Sequence, residues 1–134
     1  MVTNAQWLSA WKTISIAGVT SLTTPPASLD RVKLPAGWPQ ELTAGLGTVL
    51  VSCLGANLQR RIVYHVAVGA VGQKNLSINY DETAALMDAI ETAVKALHGV
   101  LVNFLEFQIF LTDKIIVAGV PYWGFEIQAT GRNV

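Results

Sequence analysis

Residues 80–98 read YDETAALMDAIETAVKALH, and the two stretches that follow, 101–111 and 122–130, read LVNFLEFQIFL and YWGFEIQAT. The first has a helical period. Leu86, Ile90, Val94 and Leu97 fall three or four residues apart and make one apolar stripe, with Asp88, Glu91 and Lys95 turned away from it. Asn79 and Glu82 have capping-box spacing, and Asp81 and Glu82 sit where the positive end of a helix dipole favours acids. Glu91 and Lys95 form a favourable i, i+4 pair, and His98 and Gly99 occupy last-turn and C′ positions. The second and third stretches alternate. Leu101, Asn103, Leu105, Phe107, Ile109 and Leu111 share one face, and Val102, Phe104, Glu106, Gln108 and Phe110 the other. Trp123, Phe125, Ile127 and Ala129 oppose Tyr122, Gly124, Glu126 and Gln128 in the same way. A period near 3.6 giving way to a period of 2 predicts a helix followed by two strands. Asp113-Lys114 reads as a turn, residues 115–118 as a short apolar run, and Gly119–Pro121 as an interruption, because proline does not suit a central strand.

Working back along the chain, Arg60–Val68 is a further predicted strand, and Thr48–Leu54 is apolar, branched and short enough to be its antiparallel hairpin partner. Gly69 to Ser77 reads as a loop. Residues 3–16 predict a helix capped by Thr3, with Gln6 at capping-box spacing, or alternatively by Asn4, with Trp7, Leu8, Trp11 and Ile14 on one stripe and Gly18 as its left-handed stop. Residues 19–47 carry Pro25, Pro26, Pro35 and Pro39 and read as irregular, with a short strand near Arg31–Leu34. Helix, long loop, two strands, helix and two strands predict a single α+β domain over 1–134. It is expected to hold one mainly antiparallel sheet with two main helices packed on a face.

The composition narrows function by exclusion. The chain has 134 residues, of which 51% are hydrophobic and 13% charged, and its formal net charge is zero. Average chains carry about 25% charged residues. Intrinsic disorder is excluded, and phosphate-neutralising nucleic-acid binding would show a basic excess that is absent. So few charges over so small a domain leave apolar surface, which points to self-association. Through Arg61 five bases meet two acids, a balance of +3; from Lys74 onward four bases meet seven acids, a balance of −3. Such halves suit head-to-tail docking of copies, unless folding interleaves them.

Chemical motifs are sparse. Cys53 is the single cysteine, and His65 and His98 have no ligand-spaced partners, so neither a disulfide nor a metal is expected. His65 reads as a hydrogen-bonded strand residue. No G-x-S-x-G elbow or phosphate-cradling glycine pattern is present. Glu106 and Glu126 are candidates for a paired-carboxylate site on one sheet face, against the plainer reading of a polar face joined by Gln108 and Gln128. The charge-free run Leu42–Gln59 is broken by glycines and polar residues and reads as strand and turns rather than a membrane span. Met1–Ala10 has no basic region of a secretory leader, so cytoplasmic synthesis is expected.

The pattern of elements resembles the tail terminator proteins of tailed bacteriophages. Four features carry the resemblance: the helix Asn4–Ile16 with a proline-bearing loop into Val32-Lys33-Leu34-Pro35; the strands Thr48–Leu54 and Arg60–Val68; the helix Tyr80–His98 with Leu86, Met87, Asp88, Ala89 and Ile90; and the closing strand Gly119–Ile127. The resemblance implies a structural protein of the virion neck, not an enzyme and without cofactor. It would form a homohexameric ring that ends tail-tube polymerisation, contacts the tube protein and the head connector, and lets DNA pass as cargo. Another neck or tube-end protein is the nearest alternative. A small α+β enzyme or ligand-binding module, with Tyr64, Trp123 and Phe125 lining a pocket and Glu106 or His65 as acid or base, is the alternative of a different class. Candidate interface residues are Trp38, as a lid on the core or an anchor, Arg60 and Arg61 as a pair for a neighbour's acids, Lys74, Glu106, Glu126 and Arg132.

Overall fold

A computed structural model describes residues 3–46, 59–71, 80–97 and 104–132. The chain is α+β. Helix α1 spans Asn4–Lys12 and α2 spans Tyr80–Lys95; the strands are β1 (Thr20–Ser21), β2 (Ala36–Leu46), β3 (Gln59–Ala70), β4 (Phe104–Val117) and β5 (Val120–Arg132). The five strands form one sheet in the order β1-β2-β3-β5-β4. The sheet is mixed: β1 runs parallel to β2, and the other three pairs are antiparallel. No described helix is long and apolar enough to cross a membrane.

The cap of α1 is Thr3, one of the two its sequence offers, and Asn4 is the first helical residue. The Thr3 hydroxyl accepts from the Gln6 N–H at 3.2 Å, and the Gln6 side chain accepts from the Thr3 N–H at 2.9 Å. Two otherwise orphaned donors are satisfied, worth about 1 kcal/mol. The helix stops at Lys12, four residues before its predicted end. Thr13 leaves helical geometry, and its hydroxyl donates to the Ser9 carbonyl at 2.9 Å. Threonine competes with the helix for backbone partners in this way. Ile14 and Ile16 then enter the core from non-helical backbone. Gly18, with φ +78°, sits in the turn closed by Val19 N–H onto the Ile16 carbonyl, not at the helix end.

The segment 19–47 is more regular than its prolines suggest, because β1 and the eleven-residue β2 lie within it. Arg31–Leu34 is turn and bend; the strand begins at Ala36, past Pro35. Pro39 falls at a break in register against β3 and beyond the two β2 residues that β1 pairs with. A missing N–H is tolerated in such a place.

β3 is the axis of the sheet, with β2 on one edge and β5 on the other. The predicted partner strand Thr48–Leu54 lies outside the described residues, and both edges of β3 are held by these other strands. Expected helix caps Asn79, His98 and Gly99 also lie outside the described residues. Within α2, Ile90 and Val94 are fully buried and Leu86 and Leu97 pack beside them, as the stripe predicts.

β4 runs straight through the expected turn at Asp113-Lys114. Thr112 pairs with Gly124 and Ile115 with Tyr122, so Asp113 and Lys114 together oppose Trp123 as a β-bulge. The actual turn is Ala118-Gly119, with φ of 53° and 76°, the two left-handed residues of a tight hairpin. Pro121 stays in the strand opposite Ile116. β5 begins to pair with β3 only at Tyr122, so the proline takes no place in that ladder.

Strand alternation builds two cores. Ile62, Tyr64 and Val66 of β3 and Phe125, Ile127 and Ala129 of β5 share the face that meets Trp7, Trp11, Ile90 and Val94 of the helices. Each fully buried aliphatic side chain there contributes roughly 1.5–3 kcal/mol. On the opposite face, near the hairpin turn, Leu29 joins Trp38, Ala67, Ile115, Val117 and Tyr122. Gly124 lies between β3 and β5 at close quarters: a Cβ there would meet the Val66 carbonyl oxygen at 1.9 Å.

Candidate protein interface

The smaller core covers only one end of the face turned away from the helices. The rest of that face is polar, and alternation decides which residues compose it. Register sets Arg61, Thr130 and Glu106 in one row across β3, β5 and β4, then Val63, Gln128 and Gln108, then His65, Glu126 and Phe110. An open concavity of about 600 Å³ lies over the first two rows, lined by Arg61, Glu106, Phe107, Gln108, Gln128 and Thr130.

These side chains form a connected ladder. Arg61 Nη2 donates to Gln128 Oε1 at 2.8 Å, and Gln128 Nε2 donates to Glu126 Oε2 at 2.9 Å. His65 Nε2 lies 3.1 Å from the other oxygen, Glu126 Oε1. The Gln128 amide is the main cause that holds the Glu126 carboxyl below the usual carboxylate range, against its partial burial. The hydrogen bond and charge of His65 and the charge of Arg61 add to it. His65 is in turn held edge-on to Trp38, with ring centroids 6.2 Å apart. The ladder fixes rotamers that would otherwise be lost on binding, so a partner docking here meets a pre-ordered surface.

The positions singled out from sequence fare differently. Glu106 and Glu126 do share this face, but Glu106 stands opposite Thr130, four residues along β5 from Glu126. At about 3.4 Å per residue that is roughly 14 Å, too far for two carboxylates to work on one group. Trp38 is 1% exposed, and its indole N–H donates to Gln40 Oε1 at 2.8 Å. Of its two predicted roles it takes that of a lid on the core, and it offers no surface to a neighbour. Arg60 and Arg61 do not act as a pair. They are consecutive in a strand, so Arg61 joins the polar face while Arg60 turns to the helix side and its Nε donates to Asn4 Oδ1. Arg132 closes β5 opposite Gln59 and Phe104. Lys74 and Cys53 lie outside the described residues.

The charge halves do not form poles. β3, from the basic half, is sandwiched against β5, from the acidic half, so Arg61 lies beside Gln128 and Glu126. Folding interleaves them, which removes head-to-tail charge docking as a driving force. The membership of His65 and Arg61 in one network with Glu126 was not read from sequence. Its signal was present in the matching parity of two alternating strands, once their register is known.

No family model matches the chain, and no curated protein does.

Proposed function

We propose that this chain is a structural subunit that works by assembling with copies of itself. In the particular form its pattern of elements suggests, it is the ring at the head-proximal end of a phage tail. The observation that carries the reading is the ordered polar face: a hydrogen-bonded ladder of Arg61, Gln128, Glu126 and His65 beside an open concavity, on a sheet whose other face is filled by helices. A surface of this kind contacts protein through donors and acceptors already in place, with little rotamer entropy left to lose. In a ring the contacts would be heterologous, one face of each copy against a different face of the next. The tube protein would sit on one side, the head connector on the other, and DNA would pass through the lumen. The protein would then be a component of the virion, made in the host cytoplasm.

Two measurements test this. Native mass spectrometry on the full chain reads subunit number, and a closed ring of about six copies is expected from the resemblance, with heterologous contacts that close the ring. Electron microscopy of purified, unterminated tail tubes with the protein added reads end-capping. Single subunits that leave tube ends bare and growing overturn the reading.

A further inference from the structure

The two edges of the sheet are built differently. At one edge β1 is two residues long, and β2 beneath it carries Pro39 and two breaks in register, between Pro39 and Glu41 and between Ala44 and Leu46. Short strands, prolines and bulges are how proteins keep an edge from pairing with another chain. At the other edge β4 is outermost, and among the described residues nothing pairs with its far side. From Phe104 to Thr112 it pairs with β5 for nine consecutive residues without a break. That stretch, FLEFQIFLT, has no proline, no lysine and a single charged residue, Glu106. Phe110 is 42% exposed and Leu111 48%, one on each face of the same edge. The bulge at Asp113-Lys114 then ends it.

We propose that the outer edge of β4 from Phe104 to Thr112 pairs with the same stretch of a second copy of this chain. The pair is antiparallel and two-fold related. The occupant follows from the asymmetry of the sheet. Only one edge is regular enough to template a long strand pair, so the matching edge in another copy is that same edge. A two-fold pairing is also self-consistent in charge and shape. Full overlap of nine residues centres on Gln108, which faces its own counterpart. Glu106 then faces the second copy's Phe110, so no carboxylate opposes a carboxylate. Phe107 faces the second copy's Ile109, an aromatic against a β-branched residue, a favourable cross-strand combination. The nine residues span about 30 Å of main-chain donors and acceptors at about 3.4 Å each. This inference goes beyond the ring reading and does not rest on it.

The test is native mass of the full chain and of a variant with Leu111→Lys. This position is 48% exposed and lies on the face of β4 opposite the polar ladder, so the fold and the polar face remain. Edge lysines block strand pairing. The expected result is a native mass halved by the variant, with unchanged circular dichroism. A dimer that becomes a monomer supports the pairing and removes the ring. A double ring of about twelve copies that becomes a single ring of about six supports both. A ring of about six that keeps its mass in the variant overturns the pairing and leaves the ring. A wild-type monomer overturns both. A second variant guards against misfolding: Gln108→Cys with Cys53→Ser. Opposed Cα atoms in an antiparallel pair lie about 4.5–5.5 Å apart, within disulfide range. Mild oxidation is expected to give a covalent dimer, and its absence in a folded sample overturns the pairing.

Discussion

Arg61 and Gln128 are joined across β3 and β5 by a 2.8 Å hydrogen bond, and Gln128 passes the connection to Glu126. One glutamine thus links a cation and an anion that do not touch. It both accepts and donates, which its amide permits and a second carboxylate would not. The arrangement makes Gln128 the keystone of the polar face. Gln128→Leu, of similar volume, is expected to leave the fold intact and cost about 1–2 kcal/mol by orphaning partners on both sides. Urea titration of stability measures it. A loss below a few tenths of a kcal/mol would show that the ladder carries no stability.

The same network sets a pH dependence. Glu126 titrates lower in the folded protein than its ordinary value of 4.5, because the Gln128 amide first, and then His65 and Arg61, favour its ionised form. A depressed carboxyl contributes stability that is fully present above the unfolded value and lost as pH falls through the folded one. Stability is therefore expected to fall with acid below about pH 5. Glu126→Gln should flatten that part of the curve and cost about 1 kcal/mol at pH 7. Denaturant midpoints between pH 3 and 7 for the two proteins check it.

Arg60 and Arg61 separate structure from surface. Arg61→Ala removes a donor on the open face and is expected to change stability by less than about 1 kcal/mol while weakening assembly through that face. Arg60→Ala removes the tie to Asn4 at the start of α1. It is expected to cost about 1–2 kcal/mol without affecting assembly of the folded fraction. Sedimentation velocity and thermal melts on both proteins give the comparison, and equal effects would refute the division.

Gly124 is expected to be the least replaceable small residue. A methyl group at this position collides with the Val66 carbonyl at 1.9 Å, so β3 and β5 must separate. Gly124→Ala should cost about 3 kcal/mol or more, as other buried steric insertions do. Gly18→Ala meets no atom within 4 Å and bears only the cost of its left-handed φ, about 1 kcal/mol. Equal melting temperatures for the two variants would contradict the contact.

Trp38 is the residue whose burial reversed one of its predicted roles. With its indole 1% exposed, Trp38→Ala is expected to cost about 3–5 kcal/mol. An interface anchor would instead lower assembly with little change in melting. The direction of that split is read by comparing the two measurements on one sample.

The sequence was most informative where one periodicity ran unopposed. The stripe through Ile90 and Val94 and the alternation from Phe125 to Ala129 are local patterns, and each survives in the folded protein. It was least informative where a local signal competed with a long-range one. Pro39 reads as loop, yet the pairing of Ala36 to Ala44 with β3 supplies enough hydrogen bonds to carry a strand past it. Asp113-Lys114 has turn composition, but Gly124 and Tyr122 across the ladder hold both flanks in register and convert the turn into a bulge. The candidate site was legible as a face, through the parity of Glu106, Gln108, Glu126 and Gln128. It was not legible as a network, because joining His65 and Arg61 to it requires knowing that β3 neighbours β5. Strand order is a tertiary property, and no local pattern encodes it.

That order also bears on how the chain matures. Tyr64 sits beside Ile127, so the central strand must wait for a segment 63 positions downstream before its second flank is closed. Local helices form within microseconds, whereas closing such a span carries an entropic cost that slows the last step. On the ribosome, the middle of the sheet is thus assembled late. Until then the nascent polypeptide presents the unpaired edge of a strand whose alternate residues, Ile62, Tyr64 and Val66, are apolar, and holding it apart from other nascent copies falls to whatever folding helpers the cell supplies.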